Sequence, residues 1–203
     1  MIWFTADTHF GDERVMTLCK RPYVSVEQMN RALVNNINDC VGLKDELYIL
    51  GDFASYMSFE GQVEAREAIF CENVHLVPGN HDRDWSKPLP DQPGWQPFIV
   101  EPPIRRLKLD RAHGGRWLVL SHYPIADWEG FGQGWIHLHG HIHARGAEYN
   151  EHNRGERILR FDVGVDANDF LPVSEDEVLD FFDGVEWRPR TSWREWSRAG
   201  GEP

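Results

Sequence analysis

Ile2-Trp3-Phe4-Thr5-Ala6-Asp7-Thr8-His9-Phe10-Gly11 opens the chain with a short apolar run that stops abruptly at an acidic and an imidazole side chain. Such a run reads as a buried strand that delivers polar residues to a loop at its carboxyl end. The same pattern recurs four times. Glu46 to Leu50 leads into Gly51-Asp52, and Val74 to Val77 leads into Gly79-Asn80-His81-Asp82. Trp117 to Leu120 leads into Ser121-His122, and Trp135 to His139 leads into Gly140-His141-Ile142-His143.

Helical patterns lie between these runs. Ser25 to Asp39 places Val26, Met29, Leu33, Val34 and Ile37 at helical spacing, and Ser25 with Gln28 forms a candidate capping box. Phe59 to Cys71 can form a second helix, and Ser174 to Phe182 starts with a Ser cap and an acidic first turn. Ile104 to Leu109 and Ile158 to Val165 are further strand candidates. Pro88 to Pro103 reads as a surface loop, because strands resume beyond it. Alternating strands and helices predict an α/β domain over residues 1–187, followed by a polar C-terminal tail, 188–203, that carries Trp193 and Trp196. The gaps from His9 to Gly51 and from Asp82 to Ser121 each hold about 40 residues, too few for a cap domain of ~50.

Composition narrows the function classes. The 203 residues include 41% hydrophobic and 27% charged, an ordinary soluble balance. A formal charge of -12 argues against a basic nucleic-acid-binding face. Cys19, Cys40 and Cys71 are odd in number and widely spaced, which fits a reducing compartment rather than a disulfide framework. No run approaches the ~18 apolar residues of a membrane span, and the N-terminus lacks a signal-peptide pattern. The expected location is the cytoplasm.

Each polar cluster taken alone can be an ordinary loop. Their conjunction is more specific. Unrelated turns do not usually place Asp, His, Asp, Asn, His, His and His in this order after successive apolar runs. Carboxylate, amide and imidazole donors together suit Mn, Fe, Zn or Co better than Mg or Ca alone. The lack of Cys in any cluster argues against a structural zinc site.

The order D-x-H, G-D, G-N-H-D, H, G-H-x-H is similar to that of the calcineurin-like metallophosphoesterase superfamily. Phe4 to Gly11, with Arg21-Pro22 and Val163-Gly164-Val165-Asp166, resembles a small bacterial and phage branch of it. The resemblance spans Ile2 to Val178 and implies a four-layer α/β/β/α sandwich with two mixed β-sheets. It also implies that Asp7, His9 and His143 hold one divalent ion and that Asn80, His122 and His141 hold another. Asp52 would bridge the two ions, and a shared hydroxide would be the nucleophile. His81 would act at the phosphate as a proton donor, with Asp82 orienting its ring. By formal count two ions, two carboxylates and a hydroxide leave about +1, enough to draw a phosphate to an acidic protein.

The function expected on this basis is two-metal hydrolysis of phosphomonoesters or phosphodiesters, with a small phosphorylated compound such as a nucleotide as substrate. A nuclease or RNA-processing enzyme, and a non-catalytic scaffold on the same fold, are the alternatives. No membrane partner is expected. The branch often has His where this chain has Asp12; Asp12 is either a neutral loop residue or a carboxylate beside the phosphate. Of the remaining histidines, His137 or His139 is expected to pack or to orient a metal ligand, His75 to be structural, and His113 and His152 to be exposed. Arg83 reads as a solvated turn residue, with a phosphate contact as the lesser option.

Overall fold

The apolar runs pair into two mixed β-sheets. The computed structural model describes residues 1–87, 96–110 and 112–187. In one sheet β1 (Ile2–Thr5), β2 (Glu46–Ile49), β3 (Asn73–Leu76) and β4 (Ile99–Val100) run parallel, and β9 (Val173–Ser174) pairs antiparallel with β1. The spatial order is β4-β3-β2-β1-β9. In the other sheet β5 (Ile104–Lys108), β6 (Trp117–Ser121), β7 (Ile136–His139) and β8 (Arg160–Asp162) lie side by side in chain order. There only the β5–β6 hairpin is antiparallel.

Strand alternation sorts side chains between two cores. Leu47, Ile49, Val74 and Leu76 point outward from the first sheet onto α2 (Val26–Cys40), which contributes Met29, Leu33 and Ile37. Phe4, Tyr48 and Leu50 point the other way and meet Leu118, Leu120, Ile136 and Leu138 of the second sheet. Each such buried side chain contributes roughly 1.5–3 kcal/mol, so the two cores hold the sheets face to face. Helix α3 (Phe59–Glu67) joins α2 on the first sheet's outer side, and α4 (Glu148–Gly155) covers the second sheet. The result is the expected four-layer α/β/β/α sandwich.

Several local expectations need correction. Ser25 caps α2 by accepting from the Gln28 amide, but Gln28 reaches back to the Val24 amide rather than to that of Ser25. Helix α3 stops at Glu67, short of Cys71, because the buried Arg66 guanidinium donates to the carbonyls of Ile69, Cys71 and Pro97 and turns the chain. The Ile158–Val165 strand is cut to β8, since the Asp162 carboxylate accepts from the Gly164 amide and Val165 crosses to the Ala6 carbonyl. α5 (Glu175–Phe181) carries a full capping box between Ser174 and Glu177.

Two helices escaped the sequence reading. α1 (Glu13–Leu18) has six residues, too few for a periodic signal. α4 buries Asn150 and Asn153 instead of apolar residues. Asn150 replaces missing apolar contacts with paired bonds to the Asp162 amide and carbonyl, at 2.7 and 3.0 Å. His113, expected to be exposed, is half-buried between Asp110 and Asp176. His75 is structural, stacked on Tyr48 and paired with Glu101. Arg83 lies over the Phe59 ring at 4.1 Å. The C-terminal tail and its Trp193 and Trp196 lie outside the described residues, as do residues 88–95 of the Pro-rich stretch. The second half of that stretch is not a surface loop, since Phe98 is buried in the first core and Ile99–Val100 form β4 beside β3.

His137 on β7 is fully buried. Its Nδ1 lies 2.9 Å from the Val119 carbonyl, so that nitrogen donates, and Nε2 accepts from the Ile125 amide at 3.0 Å. Burial pushes this imidazole down to about 4. The folded protein therefore resists a proton that the unfolded chain takes up below its ordinary value near 6.5, and this stability is lost as pH falls through the folded value. Thermal melts of the wild type should drop between pH 6.5 and 4. In His137→Leu the pH slope over that window should be shallower, although the variant starts less stable. Identical slopes would contradict the assignment.

Candidate metal centre

All the polar clusters lie beyond the carboxyl ends of parallel strands. Asp7 and His9 follow β1, Asp52 follows β2, and Asn80, His81 and Asp82 follow β3. His122 follows β6, and His141 and His143 follow β7. The two sheets meet at this edge through Val165, whose amide donates to the Ala6 carbonyl at 3.1 Å. The His141 amide donates to the Asp7 carboxylate at 3.1 and 2.8 Å.

The seven side chains gather into two groups sharing an edge. Donor atoms of Asp7, His9 and His143 lie within 4.8 Å of one another, and so do those of Asp52, His122 and His141. Asp52 Oδ2 is 3.4 Å from His9 Nε2 and also 3.4 Å from His122 Nε2. One carboxylate oxygen thus faces both groups. Its partner Oδ1 is fixed by the His81 amide at 2.8 Å.

Hydrogen bonds on the far side of each ring decide which nitrogen faces inward. Ser55 Oγ donates to Asp12 Oδ2, so His9 Nδ1 donates to Ser55 and leaves Nε2 inward. His9 Nε2 is buried and has no hydrogen-bond partner. His143 Nδ1 lies 2.8 Å from Asp166 Oδ2, and His122 Nδ1 lies 2.9 Å from the Leu50 carbonyl. His122 Nε2 then faces Asn80 Oδ1 at 3.0 Å, His141 Nδ1 at 3.2 Å and Asp52 Oδ2 at 3.4 Å. These are acceptors crowded against acceptors. A proton on Nε2 satisfies one of these three contacts, whereas a cation among them engages all four atoms. The residues therefore fit divalent ions.

The local electrostatics are those of a crowded, largely buried site. Burial pushes the Asp7 carboxyl up to about 7, against the pull of His143. Burial lowers His9 and His141. It opposes the charged form of Asp52 too, but contacts from His122 and His9 and the His81 amide outweigh it and hold that carboxyl far down. Burial likewise opposes the charged form of His143, and the bond to Asp166 reverses this and carries it up to about 10.

The backbone here is strained. Asp7, His9, Asp52, His141 and His143 all have φ between 48° and 74°. Left-handed non-glycine residues cost about 1–3 kcal/mol each and persist only when their surroundings over-determine them. Here the Asp7 and His9 amides are tied to the Gly51 and Asp52 carbonyls at 3.1 and 3.0 Å. The convergence of Asp7 with His9, and of His141 with His143, therefore comes from left-handed turns and not from the alternation of an extended strand.

Two further roles differ from expectation. Asp82 does not orient His81; its carboxylate accepts from the backbone amides of Gly79, Asp52 and Phe53 and holds the Asp52 loop. Asp12 is neither a neutral loop residue nor a group facing substrate. It is buried, caps α1 through the Arg14 amide, and supports His9 through Ser55. His139 bonds the Gly140 carbonyl and the Tyr149 hydroxyl. The exposed His81 ring stands 5.3 Å from the His9 ring.

The family model of calcineurin-like phosphoesterases matches residues 1–197. The chain belongs to that family. An uncharacterized protein of Methanocaldococcus jannaschii is 30% identical over 88% of this chain and 89% of its own length. The gene 66 protein of Mycobacterium phage L5 is 29% identical over 90% of this chain and 94% of its own. A protein of unknown function from Aquifex aeolicus superposes with a TM-score of 0.64 at 25% identity, covering 88% of this chain and 97% of that one.

Within this family member, Ser55 and Asp166 touch candidate ligands although nothing in the sequence marks them as ligand supports, and Asp12 supports His9 through Ser55 rather than facing a phosphate. Arg21-Pro22 and the Gly164-Val165-Asp166 turn stood out only as points of resemblance, because nothing along the chain says that they meet.

Gly140 marks a tight junction between the two sheets at the centre. A Cβ there would lie 2.5 Å from Ala6 Cβ and 2.6 Å from Asp7 Oδ2, whereas one at Gly155 would meet nothing within 4 Å. Gly140→Ala should cost about 1–3 kcal/mol through overpacking. Gly155→Ala should be neutral or stabilise by up to ~1 kcal/mol. Urea denaturation of both variants checks the difference, and equal shifts would show that the junction is slack.

Proposed function

We propose that this chain hydrolyses phosphate esters with two divalent ions, drawn from Mn, Fe, Zn or Co. In this reading Asp7, His9 and His143 hold one ion and Asn80, His122 and His141 the other, with Asp52 shared. The observation that carries it is the single Asp52 oxygen 3.4 Å from an inward nitrogen of each group. When bound, the ions supply an activated water and neutralise charge building on the phosphoryl oxygens. General acid–base work alone gives only ~10²–10⁴-fold acceleration, so they carry most of the barrier reduction.

The protein's own groups do the rest. Asp52 sets the spacing of the two groups, and Asp82 holds the Asp52 loop through three backbone amides. His81 stands exposed at the rim next to His9, where it can hand a proton to the departing oxygen. Tyr123, half exposed, borders the other group with its ring 4.5 Å from His141 and offers a flat surface to a base or aromatic leaving group. That surface and a net charge of -12 favour a small phosphomonoester or phosphodiester, a nucleotide among them, over a nucleic acid.

Purified protein loaded with Mn should hydrolyse p-nitrophenyl phosphate or bis-p-nitrophenyl phosphate in preference to single-stranded DNA. Efficient cleavage of the DNA alone would favour the nuclease reading, and no turnover with any of the three would sink the enzyme. Asp52→Asn should lose ~10³-fold or more in kcat and retain less metal. His81→Ala should keep its metal and lose most turnover on alkyl phosphates, with a much smaller loss on p-nitrophenyl phosphate, whose leaving group needs no proton. A uniform loss across leaving groups would assign His81 to charge stabilisation instead.

A further inference from the structure

We infer that Arg21 and Asp166 are positioning residues that make the Asp7–His9–His143 group the tighter of two unequal metal sites. The inference rests on the metal assignment proposed above.

Arg21 has no exposed side-chain surface, and it spends its donors on one region. Nε and Nη2 engage the two oxygens of Asp166 at 2.9 and 2.8 Å. Nη2 also donates to the Asp7 carbonyl at 2.7 Å, and Nη1 donates to the Thr8 carbonyl at 2.9 Å. Asp166 in turn takes His143 Nδ1 at 2.8 Å, closer than the 3.4 Å between that nitrogen and Cys19 Sγ. A single guanidinium therefore clamps the strained Asp7-Thr8-His9 turn and, through Asp166, fixes the third member of the same group. The rigid fork of Arg suits this two-sided grip, which the point charge of Lys does not reproduce.

Among the described residues the other group has no such backing. Its His122 leans on a neutral backbone carbonyl, that of Leu50. His141 turns Nδ1 inward, and Asn80 is exposed. An imidazole backed by a carboxylate is a more basic, better oriented ligand than one backed by a carbonyl, and loss of such support typically costs 10–100-fold in metal affinity. His9 is carboxylate-backed as well, through Ser55 and Asp12. Both imidazoles of one group are thus supported by carboxylates. Among the described residues no carboxylate hydrogen-bonds the far nitrogen of either imidazole of the other, Asp7 Oδ1 lying 4.0 Å from His122 Nδ1.

The test is a titration of chelator-stripped protein with Co, read by visible absorbance and by calorimetry, so that no activity is needed. Wild type should bind two ions per chain in two phases separated by ~10-fold or more in Kd. The double variant Arg21→Met/Asp166→Leu removes both buried charges together, a replacement that buried ion pairs often tolerate. It should weaken the tight phase ~10–100-fold and leave the weak phase as in wild type. Asp166→Asn keeps the size and an acceptor oxygen but leaves the buried Arg21 charge without its partner, so it should melt lower than wild type. Titrated in the folded state, confirmed by circular dichroism, it should weaken the tight phase alone, and so guards against a double variant that misfolds. Two equal phases in the wild type would overturn the inference. An unchanged tight phase in Asp166→Asn and the double variant, or an equal loss in both phases, would overturn it too. Two unequal phases in a protein that hydrolyses no phosphate ester would overturn the proposed function and leave this inference standing.

Discussion

The junction between the two sheets at their carboxyl edges is the constraint on which the rest depends. Val165 crosses to the Ala6 carbonyl, and the His141 amide reaches across to the Asp7 carboxylate. Without that seam, β1 to β3 would end at one cluster of polar loops and β6 to β8 at another. With it, six loops share one edge, and a single Asp52 oxygen can face both groups. Gly140 lets the seam close, because any side chain there would occupy the place of Asp7. A fold rule about where sites lie in parallel sheets becomes a contact between named atoms.

Closing the seam costs stability that the remainder of the chain must offset. Five left-handed non-glycine residues, a fully buried Asp7 and an unpartnered His9 Nε2 are each unfavourable alone. They are held because the surrounding bonds are numerous and mostly backbone-directed. Asp82 secures three amides and Arg21 two carbonyls, and the two apolar cores keep the strands from separating. Cations in such a site would relieve the crowding of acceptors and so stabilise the fold as well as supply chemistry.

Net charge and local charge part company here. The chain is strongly acidic, yet imidazoles surround the centre and its carboxylates are turned inward. A phosphate approaching such a surface is governed by the field at the cleft rather than by the formal total. Tyr123 and His81 then border the site from opposite groups, one beside His141 and the other beside His9.

The sequence by itself determined the elements and the cast. Apolar runs ending in Asp7-Thr8-His9, Gly51-Asp52 and their counterparts are legible because burial selects consecutive apolar residues and a strand must release its polar residues at its end. The helical spacing of Met29, Leu33 and Ile37 is legible for the same reason. Contacts set by distant partners were not legible. Asp82 reads along the chain as a neighbour of His81, but folding turns it onto the amides of the Asp52 loop. Asp12 reads as an open loop position, but Ser55 closes over it, 43 residues away in the chain. Arg21 and Asp166 meet across 145 residues, and α4 hides its buried face behind asparagines. Local pattern records what burial demands of a segment. Which polar group satisfies which depends on where two sheets meet, and only the tertiary structure decides that.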